Sequence, residues 1–184
     1  MTRRCKVCRT EFTPRLPMQT VCSPACALSL AKSTRAKAEK AEQVKQRKED
    51  KARREKLKSR RDWEREAQQA FNAWVRLRDA GRPCISCGRR HAGQMHAGHY
   101  LSVGAHPEMR FEPLNCWLQC APCNTYLSGN AVAYRQALVR EIGEDKVQWL
   151  EGPHEPKKYT VEQLQAIRDE YRKRVRDLRK ERGL

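Results

Sequence analysis

Eight of the nine cysteines fall into two quartets, and this spacing constrains the fold more than any other feature of the sequence. The quartets are Cys5, Cys8, Cys22 and Cys26, followed by Cys84, Cys87, Cys120 and Cys123. Two close pairs of thiolates are typical of a tetrahedral zinc site. Four sulfur ligands leave no position for water or substrate, so we expect two structural Zn²⁺ ions.

The second quartet encloses a long segment. Between Cys87 and Cys120 lie 32 residues, and they include His96, His99 and Asn115, which are discussed below. The metal would therefore hold a loop with chemically useful side chains in a fixed shape. Cys116 belongs to neither quartet, and we expect it to be a small buried apolar residue.

The sequence contains no run of about 20 apolar residues that could span a membrane, and its basic start is not followed by the apolar segment of an export signal. We therefore expect a cytoplasmic protein without a membrane anchor, in the host cell if a phage encodes it. Paired cysteines bind metal more often than they form disulfides in that reducing compartment.

The charge is strongly positive and uneven. The formal net charge is +17, and residues 1–80 hold 22 Lys and Arg against 10 Asp and Glu. A polyanion such as nucleic acid is the partner that such a surplus favours. Only 39% of the residues are hydrophobic and 33% are charged, so we expect small modules held together by metal.

The first two of four predicted regions are a zinc-binding knuckle over 1–27 and a basic helical spacer over 28–61. The spacer has good helix formers, no Gly or Pro and no broad apolar stripe. It is either an arm that lies along phosphates or a solvated spacer. The basic residues proposed to contact DNA near its end are Arg53, Arg54, Lys56, Lys58, Arg60 and Arg61.

Residues 62–152 form the third region, and a C-terminal amphipathic helix over 153–184 forms the fourth. Asp62 is expected to cap an amphipathic helix that ends at Gly81. Short apolar pieces predict strands at Met95–Leu101 and Cys116–Leu118. The helices predicted after them are Ala131–Ile142, which ends at Gly143, and Val161–Arg182, which begins with a Thr160…Gln163 capping box. The predicted class is α+β: a small zinc-stapled protein with a ββ-plus-helix module and flanking helices.

The residues in and around the segment between the second two cysteine pairs resemble a known motif. Ala97-Gly98-His99-Tyr100, then Asn115, then Cys120-Ala-Pro-Cys123-Asn124 resembles the HNH, or ββα-metal, nuclease signature. That resemblance implies His99 as general base, Asn115 as the residue that orients it and Asn124 as a metal ligand. A neutral imidazole can take a proton from water, and a divalent ion can neutralise charge on the phosphate.

The metal shell departs from that signature. Many members have Asp before the catalytic His, where this chain has Gly98, and Asn124 replaces the commoner final His. An amide oxygen suits Mg²⁺ or Mn²⁺, so the candidate ligands of a catalytic divalent ion are His99, Asn124 and His96. Strand alternation places His96 on the face opposite His99 unless the strand bends at Gly98.

A wider set of motifs resembles the NinG (Rap) recombination endonucleases of lambdoid phages. The motifs are the Cys84-Ile-Ser-Cys87-Gly run, Ala97-Gly-His-Tyr100, Arg110-Phe111, Asn115, Gln119-Cys-x2-Cys-Asn124, Ser128-Gly-Asn130 and Tyr134-Arg135, together with the cysteine head and the charged spacer. The resemblance implies a structure-specific endonuclease for branched DNA, such as D-loops and Holliday junctions, in phage recombination. It also favours Arg135, beside Arg110, as a phosphate contact.

Other functions remain open from the residues alone. A non-catalytic DNA-binding or architectural protein would use both zinc modules as scaffolds, and a protein-interaction adaptor would use them as docking surfaces. A restriction or homing enzyme would share the same site residues. Cutting two strands of a symmetric junction suggests a homodimer, and other recombination proteins are further possible partners.

Overall fold

The computed structural model describes residues 2–184 as two compact units, the first ending at Leu57 and the second running from Lys58 to Leu184. The chain is a mixed α and β protein. The first unit begins with two short antiparallel strands, β1 (Arg3–Arg4) and β2 (Glu11–Phe12), in which Arg3 pairs with Phe12. The turn between them carries the first pair of cysteines.

Helix α1 (Pro24–Lys56) completes the first unit. The Ser23 hydroxyl accepts a hydrogen bond from the Cys26 amide, and Pro24 occupies the first turn, where its missing N–H has no consequence. The helix therefore begins inside the predicted knuckle, so its predicted start at residue 28 is wrong, and it ends five residues before Arg61. None of its side chains is buried, as expected from the absence of an apolar stripe.

The second unit begins with helix α2 (Arg60–Arg78). Its N-cap is Ser59, and Asp62 is the third helical residue, where its carboxylate accepts from the Ser59 amide in a capping box. The prediction that Asp62 caps this helix is wrong, because a serine three residues earlier completes the box.

Helix α2 packs on the last helix, α5 (Val161–Glu181). Thr160 and Gln163 form the predicted capping box of α5. The buried side chains shared by these helices and the residues beneath them are Trp63, Ala67, Ala70, Phe71, Val75, Phe111, Cys116, Tyr159, Leu164 and Tyr171. This cluster places the predicted C-terminal region in the same compact unit as the predicted nuclease module.

Strands β3 (Met95–His99) and β4 (Cys116–Cys120) form an antiparallel pair at the centre of the second unit. His96 lies opposite Gln119, and His99 lies opposite Cys116. The chain then makes one π-helical turn over Pro122–Tyr126, which supplies the helical part of the predicted ββ-plus-helix unit. A π turn is a rare local geometry that is often found at functional sites.

Helix α3 (Ala131–Ile142) has the predicted bounds, but helix α4 (Glu144–Glu151) was not predicted. Gly143 has a φ of 87° and lies between the two helices, so the residue that ends α3 also precedes α4. The buried residues of this second apolar cluster are Met109, Tyr134, Leu138, Val147 and Leu150. Within residues 2–184, no helix combines the length and apolar character needed to cross a membrane.

Candidate functional site

Both cysteine quartets converge as predicted. Within each, the four sulfur atoms lie within 4.8 Å of one another. The Cys8 and Cys22 sulfurs are 3.4 Å apart, those of Cys22 and Cys26 3.7 Å, and those of Cys87 and Cys120 4.0 Å. Tetrahedral zinc with bonds of about 2.3 Å places its sulfur ligands roughly 3.8 Å apart. All eight cysteines are free thiols in an arrangement that can hold zinc.

The electrostatics of the first quartet fit a divalent cation. The pKa of Cys22 is raised to about 12 by its close neighbours Cys8 and Cys26, because a second thiolate beside them is repelled. Burial raises the pKa of Cys5, but backbone N–H donors, including those of Cys8 and Val7, outweigh it and lower the value to about 6. A bound cation would relieve the repulsion that keeps Cys22 protonated.

The hairpin of β3 and β4 and the turn after it bring His96 and Asn124 together. The Asn124 side-chain nitrogen lies 3.0 Å from Nδ1 of His96. They border an open cleft of about 470 Å³ that is also lined by Asn72, Arg76, Gln94, Met95 and Ala97. Because the turn follows directly after Cys120 and contains Cys123, the second quartet fixes the position of Asn124 relative to β3.

Two residues of this cleft, Asn72 and Arg76, come from α2 and were not predicted. They are four residues apart, so they lie on one face of the helix, next to the buried stripe that contains Phe71 and Val75. The signal in the sequence was a polar pair at helical spacing, but nothing in the sequence says that this face meets β3. Arg76 is exposed and gives the cleft a cation that suits a phosphate.

His99 lies on the other face of β3. Its ring stacks on Phe71 with 5.9 Å between ring centroids, and its Nδ1 is 3.8 Å from the Cys116 sulfur. The structure therefore brings Asn124 beside His96 and does not bring it beside His99. The alternation expected for a straight strand holds, and the bend at Gly98 that would have joined both histidines on one face is not present.

The protonation of His99 follows from its surroundings. Its Nε2 lies 2.9 Å from the backbone carbonyl oxygen of Arg110, which can only accept, so the proton is on Nε2 and Nδ1 carries the lone pair. Burial lowers the pKa of His99, and the positive charge of Arg110 lowers it further, against the hydrogen bond to the Arg110 carbonyl, which raises it. The imidazole is therefore neutral near pH 7.

Asn115 is fully buried and holds the loop that follows His99. Its Oδ1 accepts from the Leu101 amide at 2.8 Å, and its Nδ2 donates to the carbonyls of Leu101 and Met109 at 3.0 and 3.1 Å. These bonds fix the loop whose Arg110 carbonyl accepts from His99. The Asn115 side chain thus bonds to loop backbone on both sides of His106.

The two arginines proposed to contact phosphates near the site are paired with carboxylates. Arg135 bonds Glu144 and Glu151 at 2.7 and 2.8 Å, and these contacts raise its pKa. Arg110 lies 3.1 Å from Glu64 and bonds Gln68. A phosphate would have to compete with these partners for both guanidinium groups.

Of the basic residues at the end of the predicted spacer, Arg53, Arg54 and Lys56 are exposed in the last turn of α1, in the first unit. Lys58 belongs to the second unit and bonds Glu66 at 2.6 Å. Arg60 lies 3.2 Å from Glu64, and Arg61 is exposed. The cations most open to a polyanion in this set are therefore the three at the end of α1 and Arg61.

Two further residues near the site have clear surroundings. Cys116, the first residue of β4, is completely buried in the apolar cluster that contains Phe71, and burial raises its pKa, which confirms the prediction of a small apolar residue. His91 lies 3.4 Å from the Cys87 sulfur, where a ring N–H can donate to a thiolate of the second quartet.

Comparison with known proteins gives one consistent family. A family model described as bacteriophage lambda NinG protein matches residues 1–181. The ninG proteins of Escherichia phage lambda and Salmonella phage P22 are each 41% identical to this chain, and the alignments cover 98% of it and 95% and 96% of those relatives. The ninG protein of Escherichia phage 933W is 40% identical, with coverage of 98% and 96%. No solved structure gives a significant match.

Proposed function

We propose that this chain, which belongs to the NinG family of bacteriophage proteins, is a metal-dependent endonuclease with an HNH-like site that cuts branched DNA during phage recombination. The observation that carries the proposal is the cysteine-clamped hairpin. Its β3 presents His96 to Asn124 in an open cleft, and three residues later in the same strand it presents a neutral, oriented His99.

The cleft supplies donors for a divalent ion. His96 offers a ring nitrogen and Asn124 an amide oxygen, and both types occur in Mg²⁺ or Mn²⁺ sites. When bound, the ion would neutralise charge on the phosphate and on the leaving oxygen. The residues that line the cleft include no carboxylate, so we expect tighter metal binding when a DNA phosphate adds negative oxygen atoms.

His99 is the proposed general base. Its Nδ1 carries the lone pair, so it can take a proton from the water that attacks phosphorus. The Arg110 carbonyl holds the opposite side of the ring and Phe71 packs on its face, so the ring keeps one tautomer and one orientation. Water must reach Nδ1 past Cys116, at the end of β3 where the hairpin opens into the loop after residue 99.

Binding to DNA is proposed to rest on charge and shape. The net charge of +17 and the exposed α1 favour contacts to phosphates, which do not read bases. An enzyme for branched DNA requires such sequence-independent contacts. A homodimer would place two sites on the two strands of a junction, and light scattering of the protein on DNA would test that stoichiometry.

The test compares cutting with metal binding. Purified zinc-loaded protein is incubated with a labelled four-way junction, a D-loop and linear duplex, each in Mg²⁺, Mn²⁺ or EDTA. We expect metal-dependent cutting of the branched substrates. His99→Ala should lower the rate by about 100- to 10,000-fold and leave Mn²⁺ affinity unchanged, whereas His96→Ala should lower both.

His106→Ala is the matched control, because His106 pairs with Glu108 outside the cleft and should tolerate the change. Binding of branched DNA by the wild-type protein without cutting in either metal would contradict the nuclease proposal. Equal cutting of linear duplex would contradict the branched-DNA preference alone.

A non-catalytic DNA-binding protein is the second candidate. It is favoured by the position of His99, whose ring packs against Phe71 on the core side of β3, away from His96 and Asn124. In that case His99 stabilises the packing of α2 on the hairpin. His99→Ala would then lower the melting temperature and leave the affinity of the folded protein for branched DNA unchanged.

A further inference from the structure

The side-chain oxygen of Gln119 marks a third donor beside His96 and Asn124. Gln119 lies in β4 directly opposite His96 and is completely buried. Its Nε2 donates to the Ser86 hydroxyl and to the Gly129 carbonyl, both at 2.6 Å. Among residues 2–184, nothing forms a hydrogen bond with its Oε1. A buried oxygen without a partner is costly, and folded proteins rarely keep one without a reason.

The orientation of this amide follows from its partners. The Gly129 carbonyl can only accept a hydrogen bond, so the nitrogen of Gln119 must face it and the oxygen must face away. Turning the amide over would place two oxygens against each other. The unpartnered atom is therefore the oxygen, and it points toward β3 at Gly98.

Gly98 leaves room for this oxygen. A Cβ at position 98 would lie 2.1 Å from Oε1 of Gln119 and 2.9 Å from Oδ1 of Asn124. The Gln119 oxygen thus occupies much of the space that a side chain at Gly98 would fill, and the Asn124 oxygen lies at its edge. The two acceptor oxygens meet at Gly98, and the nitrogen of the same Asn124 amide lies 3.0 Å from Nδ1 of His96. A cation, or a water that donates to both, would satisfy the two oxygens.

We infer that the side-chain oxygen of Gln119 is a ligand of the catalytic metal ion. Residue 98 is glycine because a side chain there would displace this oxygen. The inference rests on the proposed function, because that function requires the metal. Its test reads metal binding, so it is separable from a failure to cut DNA. Ser86, in the loop of the second cysteine quartet, anchors Gln119 and so connects the zinc-held loop to the site.

The experiment measures Mn²⁺ affinity of the full-length, zinc-loaded chain by water-proton relaxation. Paramagnetic broadening of the Gln119 and Asn124 side-chain amide signals by Mn²⁺ identifies the site. We expect Gln119→Met, which keeps the side-chain size and removes the oxygen, to weaken Mn²⁺ binding by about tenfold or more.

Two further variants test whether a loss of Mn²⁺ affinity is specific to the Gln119 oxygen. Gln136→Met makes the same change at an exposed glutamine of α3, outside the cleft, and should leave the affinity unchanged. Gly98→Ala leaves Gln119 in the chain but displaces its oxygen, so it should weaken binding as Gln119→Met does. Zinc content and thermal melting establish that each variant is folded.

If folded Gln119→Met or Gly98→Ala binds Mn²⁺ as tightly as wild type, the inference is wrong. The Gln119 oxygen would then accept a hydrogen bond from a bound water instead. Absence of broadening at Gln119 and Asn124 in the wild type would overturn it too. Site-specific Mn²⁺ binding that depends on Gln119, in a protein that cuts no DNA, would support the metal site and contradict the proposed function.

Discussion

The two cysteine clusters have similar ligands but very different surroundings. Among residues 2–57, Cys5 is the one apolar side chain in the buried set, and α1 buries nothing. The second cluster lies in a unit that also has two apolar clusters around Phe71 and Tyr134. A zinc ion bound in the first unit would therefore take the place of a hydrophobic core, whereas one bound in the second would shape a hairpin that other packing already supports.

Removal of one thiol from the first cysteine cluster should change the structure most. Cys8→Ser should unfold the β1–β2 hairpin, because zinc binding to such small modules supplies roughly 10 kcal/mol of folding free energy. Amide signals of Arg3–Phe12 in NMR spectra should collapse to random-coil positions while those of α2 and α5 persist. The matched Cys87→Ser should disturb β3, β4 and the turn after them and leave the α2–α5 pair folded. A hairpin that survives Cys8→Ser would contradict the comparison.

Truncation of an apolar side chain tests the other half of the comparison. Leu138 is completely buried in the second unit, so Leu138→Ala should cost about 2–5 kcal/mol of unfolding free energy. Val44 in α1 is 47% exposed, and Val44→Ala should change stability by less than about 0.5 kcal/mol. Urea unfolding monitored by tryptophan fluorescence and circular dichroism measures both. Equal costs would mean that α1 packs on a core after all.

A smaller effect is expected from the charges at the end of α1. Changing Arg53, Arg54 and Lys56 together to Gln should weaken DNA binding by roughly tenfold, about 1.4 kcal/mol, and lower the salt slope by up to about 3. Arg135→Gln should have less effect on affinity, because Glu144 and Glu151 already hold that guanidinium. Fluorescence anisotropy at several salt concentrations measures the slope. The reverse ranking would assign DNA contact to Arg135 in the second unit.

The smallest effect concerns pH and His99. Its pKa in the folded protein lies below the ordinary value of 6.5 because of burial. The unfolded chain therefore binds more protons as the pH falls below about 6.5, and stability present above that pH is lost as the pH falls toward the folded pKa. Thermal melting between about pH 7.5 and about pH 5 should show a loss in wild type that His99→Gln reduces. An identical loss in both proteins would remove His99 as the cause.

Much of the secondary structure follows from local chemistry. The capping box at Thr160 predicted the start of α5, and the glycine at 143 predicted the end of α3. Helix α4 was missed because Gly143 is a strong stop signal, and the short helix after it depends on burying Val147 and Leu150 against the cluster around Tyr134. Packing of that kind leaves little trace in a segment of eight residues.

The candidate site was only partly predictable. The order of the motif residues selected His96, His99, Asn115 and Asn124 as chemically important, but it joined Asn124 to His99, and the structure places Asn124 beside His96. Strand alternation predicted that His96 and His99 lie on opposite faces of β3, since successive side chains point to opposite faces. Asn72 and Arg76 could not be assigned to the cleft, because their contact with β3 depends on how α2 packs.

The two cysteine clusters, the exposed basic helix and the main helix caps follow from the amino-acid sequence, because each depends on residue type and spacing within one segment. The face of β3 that meets the turn with Asn124, and the position of the Gln119 oxygen in the space left by Gly98, follow from the three-dimensional fold. These facts depend on the register of two strands separated by 16 residues and on the packing of α2, and neither is encoded in a local pattern.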